Sequence, residues 1–405
     1  MLAQPFGKQI DYSFATYKKF LVILLSIVLI LGLSMTAMAE FTQSVIIPSS
    51  GSISSISPLH VEGKYIKNNA DEVVTLTGTN YAYFLDDPNG SWVLPSGAIK
   101  WSVWDPVAAE QNLEAMNSWG CNVVRDYTTV EWWIDDTSNF HGHIKEWIQM
   151  AAENEIYIIF SFWRNNGTEG IVNMPYFDQG NGYINTQEDF VNLWVDVAQE
   201  LKNYPNVIFE LWNEPVGNTT MRDSWMDTTQ QCITAIREVG ATNIILAQWA
   251  YAIGVDFGWT PSKSTLDWVT NYPLVDPLGN IAYSTHIYRT DFYNSQNGFS
   301  LVYNLSDVSW ALNLTQVYSV AQQHPLIIGE IGASNWWSKN STEFAYEMAW
   351  FNNTLSLLNQ NGVGYCAFWW WSLGKFQLFY SSNYTATQAG IILKNAIGNS
   401  TNYVP

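Results

Sequence analysis

The chain has 405 residues, of which 47% are hydrophobic and 15% aromatic, and its formal net charge at pH 7 is −19. This length and apolar content exclude global disorder, and they fit two average domains or one α/β barrel with insertions. The acidic balance argues against nucleic acid and anionic membranes as partners, and it is compatible with a neutral polymer as substrate. The 21 tryptophans and 22 tyrosines exceed what a core needs, and surplus rings of this kind often line grooves that stack on flat ligands.

The N-terminal segment is typical of an export signal. Lys18-Lys19 precede an apolar stretch over residues 20–33, and a small-x-small site, Ala37-Met38-Ala39, follows. This order predicts a secretory signal peptide over residues 1–39, cleaved after the last alanine. Because the positively charged region is unusually long, an uncleaved membrane anchor through residues 20–39 is the alternative. In both cases we expect an extracellular body, secreted or anchored to the outer face of the cell membrane.

The next segment, residues 40–59, is Ser-rich and has no periodicity, which predicts a linker. The folded body is then expected over residues 60–405. Its Asn-x-Ser/Thr sequons are consistent with a glycosylated, exported protein. They lie at Asn89, Asn166, Asn218, Asn304, Asn313, Asn340, Asn352, Asn383 and Asn399.

The cysteines and histidines do not predict a metal or a cofactor. Cys121, Cys232 and Cys366 match no zinc or redox spacing, and only His141 and His143 lie close together among the five histidines. The first and last cysteine lie in strand-like runs, where a thiol packs as a small hydrophobe. One disulfide among the three remains open.

The body alternates strand-like and helical segments after a predicted hairpin near residue 60. The strand candidates are 74–80, 122–126, 156–162, 207–212, 243–247, 281–287, 326–330 and 364–371. The amphipathic runs are 108–118, 143–153, 188–202, 222–239, 306–322 and 342–360, with a short, weak crossover at 264–270 and a last helix near 388–397. Eight strands with intervening helices predict a (β/α)8 TIM barrel. The alternative, an open doubly wound sheet, would need a Gly-rich turn after its first strand, and none is present.

Two predicted strands end in glutamate. The fourth runs into Trp212-Asn213-Glu214-Pro215, where the proline cannot donate to a ladder and so leaves Glu214 at the rim. The seventh ends in Glu330. In a barrel the carboxyl ends of all strands face one site, so these glutamates are expected to face each other. Glycoside hydrolysis uses such a pair, an acid for the leaving oxygen and a second carboxylate on the other face of the sugar.

Six short motifs occur in order, one per strand, and they carry a family resemblance. They are Leu76-Thr77-Gly78-Thr79-Asn80, Asn122-Val123-Val124-Arg125, Trp212-Asn213-Glu214-Pro215, His286-Ile287-Tyr288, Ile328-Gly329-Glu330 and Trp370-Trp371-Ser372-Leu373. With them, the body over roughly residues 60–398 resembles glycoside hydrolase family 5, in the clan of retaining barrel hydrolases. A lone Asn-Glu-Pro is a weak signal, whereas six motifs in register are specific.

The resemblance implies the central roles. Glu214 resembles the general acid/base and Glu330 the nucleophile that forms the glycosyl-enzyme. Arg125 and Tyr288 would keep Glu330 ionised, since a cation and a donor lower the pKa of a carboxyl group. Apolar neighbours and the charge of Glu330 would raise the pKa of Glu214. Retaining chemistry predicts carboxyl groups roughly 5–5.5 Å apart, against roughly 6.5–9.5 Å for inversion.

The resemblance also implies substrate contacts. Asn213 would hydrogen-bond the sugar 2-hydroxyl, His286 would sit near Glu214, and Trp371 resembles the aromatic platform under the sugar. Its register within Trp369-Trp370-Trp371 is open by a residue or two. The family usually has a histidine at the end of the third strand, where this chain has Trp163, a candidate stacking surface.

Other residues allow a structural interpretation. Glu210, two residues before Trp212 on the same face, is predicted to be structural and paired with an arginine inside the barrel. The pairs Trp132-Trp133 and Trp336-Trp337 are either sugar platforms or packing lids.

The predicted function is a secreted retaining endo-β-1,4-glucanase acting on β-glucan as a monomer. An endo-β-1,4-mannanase is the alternative, because the motifs do not distinguish the configuration of the 2-hydroxyl. A catalytically silent carbohydrate-binding surface protein is a third hypothesis. The presence of both glutamates with Arg125 and Tyr288 argues against it, since binding alone needs none of them.

Overall fold

The computed structural model describes residues 56–81, 104–136, 139–164, 183–215, 219–249, 266–292, 302–334, 341–372, 376–380 and 383–400. The chain divides into two units, Met1–Ser52 and Ile53–Pro405, and the described residues belong to the second. The predicted signal peptide or anchor, and most of the predicted linker, lie outside these ranges. Within them, no helix is both long enough and apolar enough to cross a membrane.

Eight parallel strands close into a barrel in chain order, which confirms the predicted fold class. An antiparallel hairpin of β1 (His60–Glu62) and β2 (Tyr65–Lys67) precedes the barrel, as predicted. The barrel strands are β3 (Thr77–Asn80), β4 (Val123–Thr129), β5 (Tyr157–Arg164), β6 (Val207–Glu210), β7 (Ile245–Gln248), β8 (Ile281–Tyr288), β9 (Leu326–Gly332) and β10 (Gly364–Ala367). Each overlaps a predicted strand.

Helices connect the strands. They are α1 (Pro106–Ser118), α2 (Val130–Asp135), α3 (Phe140–Glu153), α4 (Gln187–Leu201), α5 (Thr219–Glu238), α6 (Asp267–Asn271), α7 (Leu305–Leu314), α8 (Val317–Ala321), α9 (Ser341–Gln360) and α10 (Gln388–Ser400). The helix predicted over 306–322 is in fact two, because Gln316 adopts a left-handed φ of 62° that ends the first. Helix α2 is not among the predicted helical runs.

Capping residues explain where two of the helices begin. The Asp105 side chain accepts hydrogen bonds from the N–H groups of Val107 and Ala108, and a proline follows at the first helical position of α1. At α4, Thr186 and Asp189 form a reciprocal capping box. Both satisfy N–H groups that have no partner within the helix.

The barrel interior has two layers, because side chains two residues apart on a strand share a face. We call the first the apolar layer; it packs in one cluster and contains Val123, Ile159, Ile208, Leu246, Ala282, Ile327 and Cys366. Two residues further along five of these strands, all buried, are Arg125, Ser161, Glu210, Gln248 and Ser284. This polar layer lies toward the carboxyl ends of the strands, where barrel enzymes place their sites.

The apolar layer also receives residues from before the barrel. Ile56 and Leu59, at the end of the predicted linker, are buried in the same cluster as Ile66 of the hairpin. The packed body therefore begins before residue 60. Two of the three cysteines, Cys121 and Cys366, are buried as predicted; Cys232 is buried too, and all three thiols are free.

Candidate active site

Arg125 is the centre of the polar layer. Its Nε donates to Oε2 of Glu210 at 2.7 Å, and its Nη2 lies 2.6 Å from the same oxygen. Nη1 donates to Oδ1 of Asn80 and to Oε1 of Glu330, both at 2.9 Å, and Nη2 donates to Oδ1 of Asn213 at 2.7 Å. The guanidinium, which is fully buried, thus uses its rigid set of donors to fix side chains from four other places in the barrel. Glu210 is paired with an arginine inside the barrel, as predicted.

A bulge in β9 directs Glu330 into the barrel. The pairing of β8 with β9 skips Gly329, so that His286 pairs with Glu330. Because Ile327 belongs to the apolar layer, strict alternation would turn residue 329 inward and the glutamate outward. The extra residue re-aims the strand and brings the carboxylate to the site.

The Glu330 carboxylate accepts hydrogen bonds on both oxygens. Arg125 donates to Oε1, and the Tyr288 hydroxyl donates to Oε2 at 2.7 Å. Nδ1 of His286 lies 3.6 Å from that second oxygen. The predicted neighbours of Glu330 are therefore in place.

Glu214 lies past the end of β6 in an unusual backbone conformation. Its φ is +51°, in the left-handed region that costs a residue with a side chain on the order of 1–2 kcal/mol. Two hydrogen bonds hold this turn: Asn213 N–H donates to the Phe162 carbonyl at 2.7 Å, and Glu214 N–H donates to Oε1 of Gln248 at 2.6 Å. The result is a side chain that points into the site and remains 24% exposed.

His286 connects Glu214 to Gln248. Its Nδ1 lies 2.8 Å from Oε1 of Glu214, and its Nε2 lies 2.6 Å from Nε2 of Gln248. Together with the backbone bond to Glu214 these contacts form a closed ring. Gln248 was not predicted as a site residue, although alternation from Leu246 in the apolar layer would have placed it inside the barrel.

Burial controls the electrostatics of the site. It raises the pKa of Glu214, and the charge of Arg125 opposes that shift. Burial also raises the pKa of Glu330, against the opposing effects of His286, Arg125 and the Tyr288 hydrogen bond. The same loss of solvent lowers the pKa of His286 to about 4, so its imidazole is neutral at ordinary pH.

The aromatic run after β10 forms a stack. Phe368 and Trp369 stack at 5.1 Å, and Trp369 and Trp371 stack at 5.2 Å. Two rings lie beside Tyr288, Phe376 at 5.5 Å and Phe368 in an edge contact at 6.4 Å, whereas the predicted platform, Trp371, is two rings further along the stack from Phe368. Trp371 and Phe368 are half-buried, and Trp369 between them is buried.

The other predicted aromatic surfaces differ in placement. Trp163 is half-buried and makes an edge contact with Tyr127 at 6.2 Å; the ring of Tyr127 lies under the Arg125 guanidinium. Trp132 and Trp133 are buried, which is the packing alternative. The pair at 336–337 lies outside the described residues.

Two groups of side chains among the described residues could ligate a cation. Glu214, His286 and Glu330 each offer one ligand atom within 4.8 Å of the others. The second group is His60 and Glu62 of the hairpin and Asp71 after it, and its two carboxylates are exposed. In the first group, the atoms concerned are already engaged in the hydrogen bonds above.

Comparison with known proteins gives consistent relatives. The family described as Cellulase (glycosyl hydrolase family 5) matches residues 86–374. Endoglucanase Z of Dickeya dadantii is 25% identical over 258 residues, 62% of this chain and 49% of the relative. An endoglucanase of Clostridium saccharobutylicum is 26% identical over 174 residues, 42% of this chain and 33% of the relative. The matches thus span a third to a half of these relatives.

Solved structures share the fold. The β-glucanase SdGluc5_26A of Saccharophagus degradans superposes with a TM-score of 0.63 at 20% identity, covering 89% of this chain and 99% of the other. The catalytic domain of Thermobifida fusca endoglucanase Cel5A gives a TM-score of 0.57 at 14% identity, covering 84% and 97%. With most of the body matched to the family and its strand-end motifs assembled around one site, the chain belongs to glycosyl hydrolase family 5.

Proposed function

We propose that this protein is a retaining endo-β-1,4-glucanase, with Glu330 as nucleophile and Glu214 as acid/base. The observation that carries the proposal is the closeness of the two carboxylates: an oxygen of each lies within 4.8 Å of the other. This upper bound on the distance between one oxygen of each carboxylate supports double displacement, because inversion needs room for a water between the carboxyl groups.

The different surroundings of the two carboxylates support the division of roles. Glu330 accepts hydrogen bonds from a guanidinium and from a phenol, whereas among the described residues the Glu214 side chain has one hydrogen-bond partner, the neutral imidazole of His286. Two carboxyl groups this close share one proton at working pH, and it belongs on the group with fewer stabilising donors. That group is Glu214.

In the first step, an oxygen of Glu330 attacks the anomeric carbon and forms a glycosyl ester. Glu214 gives its proton to the glycosidic oxygen, and the bond from that oxygen to the anomeric carbon breaks. The Asn213 Oδ1 is held by Arg125, which leaves its amide nitrogen as the donor for the sugar 2-hydroxyl.

In the second step, Glu214 is a carboxylate and accepts a proton from water. The oxygen of that water attacks the anomeric carbon, and Glu330 leaves as a carboxylate. Glu214 ends protonated, so the site is ready for another turnover. Phe368 and Trp371, the half-buried outer rings of the stack, supply the aromatic surface against which sugar rings stack, and the buried Trp369 packs between them.

The β-glucan preference of the proposal draws on the relatives, several of which are named endoglucanases. A second function, endo-β-1,4-mannanase, fits the same residues. Release of reducing ends from carboxymethyl-cellulose, glucomannan, mannan and xylan separates the two. Activity on the first two with little on mannan supports the proposal, and the opposite order supports the mannanase.

The matched control in that assay is Glu330→Gln, which keeps the size of the side chain and removes its charge. We expect the variant to fold and to lose at least about 10⁴-fold in kcat, as removal of a nucleophile does. Release that the variant does not diminish contradicts the assignment. Release on no substrate by the unaltered protein favours a carbohydrate-binding protein.

Export is a further part of the proposal, on the strength of the N-terminal signal pattern. The intact mass of the protein in the medium and in the membrane fraction distinguishes a cleaved signal peptide from a membrane anchor. A chain beginning at Glu40 indicates a cleaved signal peptide. A chain that keeps residues 20–39 and stays with the membrane fraction indicates an anchor.

A further inference from the structure

We propose that Gln248 is a positioning residue that fixes the tautomer of His286, so that His286 presents an N–H group, rather than a lone pair, to Glu214. The inference rests on the proposed function in one respect, the role of Glu214 as acid/base. Gln248 lies at the end of β7, a strand to which the sequence motifs assign no site residue.

The contacts of the Gln248 side chain fix the orientation of its amide. A backbone N–H can only donate, so the atom of Gln248 that lies 2.6 Å from the Glu214 nitrogen must be the carbonyl oxygen. The NH2 group of Gln248 is then the atom that faces Nε2 of His286, at 2.6 Å. Since that amide nitrogen can only donate, Nε2 of His286 must accept and carries no proton.

The position of the proton on the His286 ring follows from this orientation. A neutral imidazole has one N–H, so the proton resides on Nδ1. This nitrogen lies 2.8 Å from Oε1 of Glu214 and therefore donates to it. One side chain thus sets both the backbone turn and the hydrogen bond of the same glutamate.

The surroundings protect this arrangement from alternatives. Gln248 and His286 are 3% and 2% exposed, so solvent does not compete for their donors and acceptors. The indole N–H of Trp225 donates to the main-chain carbonyl oxygen of Gln248 at 2.9 Å and so fixes the backbone of Gln248. A Cβ at Gly329 would lie 2.9 Å from Nε2 of His286, so glycine keeps the space for the bond open.

The Nδ1–H group matters most between the two chemical steps. Once Glu214 has given up its proton it is a carboxylate, which this N–H stabilises while water approaches. A lone pair in the same place would repel that carboxylate. Burial lowers the pKa of the imidazole to about 4 and keeps the ring neutral; the charge of Arg125 acts in the same direction, and the charges of Glu330 and Glu210 oppose both.

The discriminating variant is Gln248→Glu. It keeps an oxygen to accept from the Glu214 N–H and, once ionised, replaces the donor to His286 with an acceptor. The ring then takes a proton on Nε2 and becomes a cation. A cation beside Glu214 lowers its pKa, so the alkaline limb of kcat/KM moves to lower pH.

Nitrogen NMR of histidine-labelled protein reads the tautomer directly, with His286→Gln to assign the signals. We expect the unaltered protein at pH 7 to show a protonated Nδ1 and an unprotonated Nε2, and Gln248→Glu to show Nε2 protonated. In kinetics we expect Gln248→Glu to lower kcat about 10- to 100-fold while KM stays within about threefold. The control Gln187→Glu adds the same charge on α4, away from these contacts, and should change neither readout.

Two results overturn the proposal: a proton on Nε2 in the unaltered protein, or the same nitrogen states in Gln248→Glu across the pH range. If Gln248→Glu does not fold, the NMR measurement on the unaltered protein decides alone. Because the NMR measurement needs no substrate, it remains decisive if the protein hydrolyses nothing. Absence of hydrolysis would contradict the proposed function, whereas the tautomer of His286 would still be known from the NMR measurement.

Discussion

The apolar and polar layers of the barrel interior follow the same alternation and differ only in chemistry. Ile208 and Glu210 are consecutive inward residues of β6, and both are buried. Ile208 is held by dispersion and by the removal of its side chain from water, which are not directional interactions. The second is held by one guanidinium, whose remaining donors fix Asn80, Asn213 and Glu330.

The difference shows how the barrel separates stability from chemistry. A gap in the apolar layer costs packing energy at that place alone. A change in the polar layer leaves a buried polar group without its partner and also moves the groups that react. Substitutions in the two layers should therefore affect unfolding and turnover in different proportions.

Of the substitutions that follow, Glu214→Gln, in the site that the polar layer supports, is expected to have the largest effect on turnover. Hydrolysis of cellulosic substrates should fall about 10³-fold, since both proton transfers are lost. An aryl cellobioside with a good leaving group needs no acid in the first step and should still form the glycosyl-enzyme. Added azide, which needs no base, should then yield a β-glycosyl azide. Equal loss on both substrates with no azide product contradicts the acid/base role.

Next in size is the effect of Arg125→Met on stability. Two buried carboxylates lose their cation, which we expect to cost about 3–5 kcal/mol of unfolding free energy, measured in urea. The double variant Arg125→Met with Glu210→Gln should recover part of that loss, because one stranded charge is removed. Additive losses in the double variant would indicate that Glu210 does not depend on Arg125.

In the apolar layer, Ile208→Ala is expected to cost about 2–5 kcal/mol of unfolding free energy through the cavity that it leaves. Its kcat/KM at a temperature where the variant is folded should stay within about twofold of the unaltered value, a change of about 0.4 kcal/mol. Thermal unfolding and initial rates, measured on the same preparation, check both. A large loss of turnover without loss of stability would contradict the separation of the two layers.

The smallest effect on free energy among these substitutions is expected from Tyr288→Phe. Its hydroxyl lowers the pKa of Glu330, which must be ionised to act as the proposed nucleophile. Without that donor the pKa rises, so activity is lost at a higher pH as acid is added. We expect kcat/KM to fall about tenfold near neutral pH, the value of one hydrogen bond to a charged group, with the acid limb shifted upward. An unmoved acid limb contradicts this role of the hydroxyl.

The fold could be predicted from the sequence because short buried strands alternated with amphipathic helices. Boundaries were less predictable. Gln316 splits one predicted helix through a left-handed turn that its amphipathic pattern does not reveal. Residues 130–135 form a helix with two buried tryptophans, a case where tertiary packing decides between lid and platform.

Around the site, the motifs predicted which side chains meet, and the structure brings Glu214, Glu330, Arg125, Tyr288 and His286 together as expected. Gln248 was missed because no motif contains it, and only its alternation with Leu246 places it inside. The position of Phe368 beside Tyr288 depends on the backbone after β10, which a run of four aromatic residues cannot reveal. The bulge at Gly329 is likewise invisible in a pattern of period two.

Double displacement by Glu330 and Glu214 is the central step of the proposed mechanism. The most direct test is the configuration of the first product, followed by proton NMR during hydrolysis of a β-1,4-linked cellooligosaccharide. Double displacement predicts that the new reducing end appears first as the β anomer and then equilibrates. First appearance of the α anomer would mean a single inversion, and it would contradict the proposed mechanism.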